Sequence, residues 1–226
     1  NLTRKILAQE PRNLILIEKD RELANYLKMQ FISQKKIKIF NEDVLKFELE
    51  NIIKKNSIII GNLPYNISSQ ILVKLIKFKK WMPSYKKLVL MFQKEVADKL
   101  LAKYKSRSYG RLTILANARL RIIDHFNVSE TCFYPIPKVK STVLIFEPIT
   151  NQDFRIKDIS NLEKITQTFF SKKRKMVNKG FRELFKNYSE VAKKINIDLN
   201  LRPNQLSEKD YYNITECFEK KNNFTN

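Results

Sequence analysis

From the first residue to about 149, short apolar runs rich in Ile, Leu and Val alternate with stretches in which apolar residues recur at helical spacing. Such alternation predicts strands joined by crossover helices around a parallel sheet, hence an α/β domain. The expected strands are 14–17, 37–41, 57–60, 87–92, 122–128 and 142–147, with helices at 20–33, 68–78, 94–104 and 111–119. After Pro148 only the helical period remains, at 160–170, 174–185, 189–195 and 207–220. Two domains are expected, an α/β domain over 1–149 and a small all-helical domain over 150–226, with the polar stretch 150–153 as the boundary. Ser207-Glu208-Lys209-Asp210 has the form of a capping box opening the last helix.

Composition adds a partner to this outline. The chain has 226 residues, 43% of them hydrophobic, which suffices for a sizeable core. Lys and Arg number 44 against 23 Asp and Glu, a net charge of +21, so a polyanion is the expected partner. The abundance of Lys, Ile and Asn with only 3 Gly accounts for part of that charge as compositional bias. No apolar run approaches the ~18 residues of a spanning helix and no signal peptide opens the chain, so a cytoplasmic protein without a membrane partner is expected. Cys132 and Cys217 lie far apart with no metal-ligand spacing around them, and no metal is expected. His125 reads as a packed or half-exposed strand residue, and no Ser-His-Asp or Cys-His constellation can be built on it.

Candidate chemistry begins at Asn62-Leu63-Pro64-Tyr65, which follows the apolar run 58–60 and Gly61. The amine of adenine is a poor nucleophile, because its lone pair is delocalised into the ring. An enzyme that alkylates it must accept its hydrogens and orient the nitrogen, as an Asn side-chain oxygen and a neighbouring carbonyl can do. Pro64 pushes Leu63 into an extended conformation, which turns the Leu63 carbonyl outward, and Tyr65 offers a flat face for a base. An ordinary strand-to-loop turn accounts for the four residues equally well. Glu18 follows the first strand, where α/β nucleotide-binding folds place an acid for the ribose hydroxyls, and Asp43 follows the second. A helix-terminal charge and a helix cap are the competing readings of these two acids. Together Glu18, Asp43 and Asn62 end three successive strands and are expected to converge on one edge of a parallel sheet.

At this point the chain resembles the ribosomal RNA adenine N6,N6-dimethyltransferases of the KsgA family. The resemblance rests on Asn62 to Ser68, on Gln93-Lys94-Glu95-Val96, on Tyr109-Gly110-Arg111-Leu112, on Phe133-Tyr134-Pro135-Ile136-Pro137-Lys138-Val139, and on Lys172-Lys173-Arg174-Lys175 with Asn178 after it. It implies a Rossmann-like fold with helices on both faces of the sheet and S-adenosylmethionine as methyl donor. By it, Glu18 binds the cofactor ribose and Asp43 its adenine, while Asn62 touches both donor and target amine. Asn62, Leu63, Pro64, Tyr65 and Phe133 form the catalytic set, with Tyr65 and Phe133 stacking on a flipped adenine.

Arg107, Arg111, Lys138, Lys140 and Lys172, Lys173, Arg174 and Lys175 are the expected RNA contacts. Cations at the start of a helix oppose its dipole, so an anion there would relieve a conflict, although a solvated face is the plain alternative. The implied reaction is N6,N6-dimethylation of two adjacent adenosines near the 3′ end of small-subunit RNA, within an immature ribosomal subunit and by a monomer. The alternatives are a large-subunit methylase of the erythromycin-resistance type and a non-catalytic RNA-binding assembly factor. One departure stands out. The family's glycine-rich loop should precede a Leu-Thr pair, but Leu2-Thr3 opens the chain, so a fragment impaired in methyl-donor binding is expected.

Overall fold

The computed structural model describes residues 2–134, 136–137, 139–151 and 154–222, which fall into two compact units divided between Ile52 and Ile53. The first unit holds α1 (Leu2–Leu7), β1 (Leu14–Glu18), α2 (Arg21–Gln30) and β2 (Ile37–Asn41). Strands β1 and β2 pair in parallel, from Leu14 opposite Ile37 to Glu18 opposite Asn41. Asp20 caps α2 by accepting the Leu23 N–H at 2.9 Å. Helix α2 stops short of the expected residue 33, because Gln34 N–H turns back to the Phe31 carbonyl to begin the reversal into β2.

The second unit contains β3 (Ser57–Asn62), α3 (Ser68–Ile76), β4 (Tyr85–Gln93), α4 (Lys94–Leu100), α5 (Arg111–Arg119), β5 (Leu120–Val128) and β6 (Ser141–Pro148). Helices α6 (Ile159–Phe170), α7 (Asn178–Leu184), α8 (Tyr188–Lys194) and α9 (Glu208–Asn222) complete it. Its sheet has the order β3-β4-β6-β5, with β3 and β4 parallel and β6 antiparallel to both neighbours. The parallel sheet expected from the pattern is thus corrected to a mixed one. The cause is the connection: a parallel return needs a long crossover, and between β5 and β6 the described residues form only a 3-10 turn at Glu130–Cys132.

Leu72, Leu75 and Ile76 of α3, Leu88, Leu90 and Phe92 of β4, Ile114 of α5, and Leu144 and Phe146 of β6 are fully buried and form the core beside this sheet. Phe92 meets Phe146 edge-on at 6.3 Å. The helices after residue 158 belong to the same compact unit. Glu163 of α6 accepts from Lys77 at 2.7 Å and from Arg111 at 2.8 Å, and the Tyr104 hydroxyl donates to the Gln205 carbonyl at 2.6 Å. The switch from strand to helix at the expected boundary therefore lies inside one packed body.

Aromatic side chains fill the core between the C-terminal helices. Phe169 is 2% exposed and meets Phe181 and Tyr211 edge-on, while Phe170 stacks on Tyr211. The capping box closes reciprocally, with Ser207 N–H to Asp210 Oδ2 at 2.8 Å and Asp210 N–H to Ser207 Oγ at 3.2 Å. Trp81 joins the end of β6 to Arg119. Its indole donates to the Ile149 carbonyl at 3.2 Å, and the Arg119 guanidinium lies 4.6 Å from its ring centre.

Gly180 sits against this aromatic core with no room to spare. A β-carbon there would lie 2.6 Å from the Phe169 ring, a rigid group held by its neighbours, whereas at Gly110 the nearest atom is 3.6 Å away. Gly180→Ala should destabilise the protein by about 1–3 kcal/mol in urea unfolding, while Gly110→Ala stays within about 0.5 kcal/mol of the parent.

Candidate active site

Each acid of the proposed cofactor side ends or follows a strand of the first unit. Glu18 is the last residue of β1 and is half-buried; its Oε1 accepts the Asp20 N–H at 2.9 Å. Its backbone is held from β2, since the Asn41 side chain donates to the Glu18 and Lys19 carbonyls, each at 3.0 Å. The second carboxylate oxygen keeps acceptor capacity for a hydroxyl pair. Asp43 lies two residues beyond β2, accepts the Leu45 N–H at 2.9 Å and pairs with the Lys19 ammonium at 2.9 Å. The Lys19 hydrogen bond, then the Leu45 N–H, hold its pKa below the ordinary carboxylate value.

The residues of the proposed acceptor side lie in the second unit. Asn62 is the last residue of β3, opposite Met91 of β4, and its side chain is exposed. The Leu63 side chain folds back over Gly61, where a β-carbon would lie 2.5 Å from Leu63 Cδ2, so the glycine makes that fold possible. The Pro64 carbonyl accepts the Ile67 N–H at 3.1 Å and the Tyr65 carbonyl accepts the Ser68 hydroxyl at 3.1 Å, a turn leading directly into α3. The Tyr65 hydroxyl is hydrogen-bonded to the Ser141 hydroxyl at 2.6 Å. Phe133 follows the 3-10 turn in extended conformation and is half-buried; Ser129 caps that turn. Ser141 escaped the sequence reading, which placed no residue of the sixth strand in the site. A serine opening a strand carries no signal that it meets a tyrosine 76 positions earlier.

The expected convergence divides accordingly. Glu18 and Asp43 share the carboxyl end of the β1–β2 sheet, and Asn62 ends a strand of a separate sheet.

The basic residues also sort themselves. Arg107 and Lys140 are exposed, and Lys138 lies outside the described residues. Arg111 is half-buried and pairs with Glu163 at 2.8 Å, which ties α5 to α6. Lys172, Lys173, Arg174 and Lys175 are exposed, but they do not begin a helix: α6 ends at Phe170 and α7 starts at Asn178. They follow the carboxyl end of α6, where cations suit the helix dipole, so the expected dipole conflict is absent. Their case as phosphate contacts rests on exposure and charge; Lys172 also pairs with Glu183 at 3.0 Å. Among the described residues no group of His, Cys, Asp or Glu could hold a metal, and no helix is long and apolar enough to cross a membrane.

Residues 1–220 match the family described as Ribosomal RNA adenine dimethylase. The Ribosomal RNA small subunit methyltransferase A of Pelagibacter ubique is 44% identical over 222 residues, covering 97% of this chain and 82% of that protein. The protein of the same name from Malacoplasma penetrans is 36% identical, covering 95% and 76%. Among solved structures, a dimethyladenosine transferase from Plasmodium falciparum superposes with a TM-score of 0.70 over 93% of this chain and 83% of that one, at 24% identity. The 23S rRNA methyltransferase ErmE superposes at 0.63 over 96% and 86%, at 19% identity. Both likenesses bear on the fold, which is that of a Rossmann-like methyltransferase.

The Lys19 contact makes Asp43 testable by itself. A carboxylate with a depressed pKa contributes stability above its unfolded value, and that contribution is lost as pH falls through the folded one. In Lys19→Met the Asp43 titration, followed by carboxyl carbon NMR, should move up towards the ordinary value, and the acid limb of the stability profile should shift up with it.

Proposed function

Because this chain belongs to the ribosomal RNA adenine dimethylase family, we propose that it dimethylates N6 of two adjacent adenosines near the 3′ end of small-subunit ribosomal RNA, within an immature subunit. The observation that carries this reading is the built turn at 62–68, in which an exposed Asn precedes a tyrosine held at its backbone carbonyl by Ser68 and at its hydroxyl by Ser141. The Asn62 side-chain oxygen and the Leu63 carbonyl accept the two amine hydrogens, which brings electron density to nitrogen and orients it without a strong base. Tyr65 and Phe133 supply faces for the flipped base, whose stacking replaces what it loses on leaving the RNA.

S-adenosylmethionine, when bound, supplies an electrophilic sulfonium methyl group. The residues present fit its adenosine part: Glu18 has a free acceptor oxygen at the end of a parallel strand for the ribose hydroxyls, and Asp43 is an anion held in place by Lys19 and Leu45. Gly61, Gly110 and Gly180, the only glycines of the chain, all lie beyond residue 52, so the methionine part is assigned to no residue here. Residues 150–226 serve as the RNA-binding part, with the exposed turn Lys172 to Lys175, together with Arg107 and Lys140, meeting backbone phosphate. The enzyme works as a cytoplasmic monomer. The two relatives at 44% and 36% identity bear small-subunit names, which favours this reading over a large-subunit methylase or a non-catalytic factor.

In the full-length protein, labelled methyl groups should pass to immature small subunits, and Asn62→Ala should lower that rate by about 100-fold or more. No incorporation by the parent protein would overturn the enzymatic reading, and incorporation into large-subunit RNA would redirect it. Replacing Lys173 and Arg174 by glutamate should weaken RNA binding at every sequence alike and flatten the dependence of log affinity on log salt by about 1–2 units.

A further inference from the structure

The acceptor turn is tied to a part of the sheet that the reaction itself does not require. Tyr65 is fixed twice, through its carbonyl by Ser68, which is fully buried, and through its ring hydroxyl by Ser141, which is 1% exposed. Ser141 opens β6 and lies opposite Gln93, the last residue of β4, and Val128, the last of β5. One position earlier the Lys140 carbonyl accepts the Lys94 N–H at 2.9 Å, and one position later the Thr142 hydroxyl donates to the Asn127 side chain at 2.9 Å. Both ends of segment 129–140, which carries Phe133, are therefore pinned at the register of Ser141.

We propose that Ser141 is a positioning residue for the methyl transfer: its hydroxyl fixes the place of the Tyr65 ring relative to the segment that carries Phe133. The proposal rests on the reading of Tyr65 as a stacking face and adds what holds that face in place. Stacking alone needs only a ring, which phenylalanine would provide. The hydroxyl of Tyr65 has a different use, a bond to a rigid post at the carboxyl ends of β4 and β5. A ring free to swing about χ1 would still accept a base, but with the amine misdirected, and small misplacements cost much at the reacting atom. Affinity for RNA, dominated by phosphate contacts elsewhere, should hardly change.

The test uses full-length protein and immature small subunits, with Ser141→Ala, Tyr65→Phe, the double variant and Tyr65→Ala. Each single hydroxyl deletion should lower kcat by roughly 5- to 20-fold with KM within about 2-fold, and the double variant should be no slower than the slower single one. Losses that multiply in the double variant, or a Tyr65→Phe enzyme with parental kcat, would overturn the proposal, as would a loss confined to KM. A fully active Tyr65→Ala enzyme would instead remove the stacking reading on which it rests, so the two failures are distinguishable. Thermal unfolding of each variant accompanies the kinetics, and a kcat loss that tracks only a fall in Tm assigns the serine a purely structural role and also overturns the proposal.

Discussion

The direction of β6 is the constraint on which the proposed acceptor site depends. Because it runs antiparallel between β4 and β5, its first residue lies where those two strands end. The carboxyl edge of the sheet thereby gathers the end of β3 with Asn62, the end of β4, and both ends of the segment bearing Phe133. Had β6 been parallel, Ser141 would open the opposite edge and Tyr65 would have no partner there. The alternation within β6, with Leu144 and Phe146 fully buried and Val143 and Ile145 half-buried, holds the strand in that central slot, since a one-residue slip would turn Leu144 and Phe146 out of the core.

The helices after β6 are an extension of the same packed body. Glu163 gathers Lys77 and Arg111 from the α/β part, and Tyr104 reaches the Gln205 carbonyl. Glu219, 6% exposed, accepts the Lys157 and Asp158 N–H groups and the Asn161 side chain, so the approach to α6 is clamped onto α9. The turn from Lys172 to Lys175 is carried on the same packed body as Asn62.

Much of this was legible in the chain. All six strands were placed within a few residues, because short Ile-, Leu- and Val-rich runs bounded by turn residues have few other uses. The capping box at Ser207 was readable because both partners lie three residues apart. The errors fell where ends are decided by distant partners. The helix beginning at Asn178 was expected from residue 174, since charge runs suit a helix as well as a turn, and the arrest at Met176 and Val177 depends on Val177 N–H reaching the Leu201 carbonyl.

By itself the sequence determined the strand ends near which the proposed site residues lie: Glu18 and Asn62 end their strands and Asp43 follows the next, while Tyr65 and Phe133 are proposed from turn chemistry and family motifs. The tertiary structure alone decided that Arg111 pairs with Glu163, that the cations from Lys172 follow a helix rather than begin one, and that Tyr65 is held by Ser141. The physical reason is range. Periodicity, caps and turn chemistry act within a few residues, whereas a hydroxyl or a guanidinium finds its partner only after the strands carrying them have been ordered in the sheet.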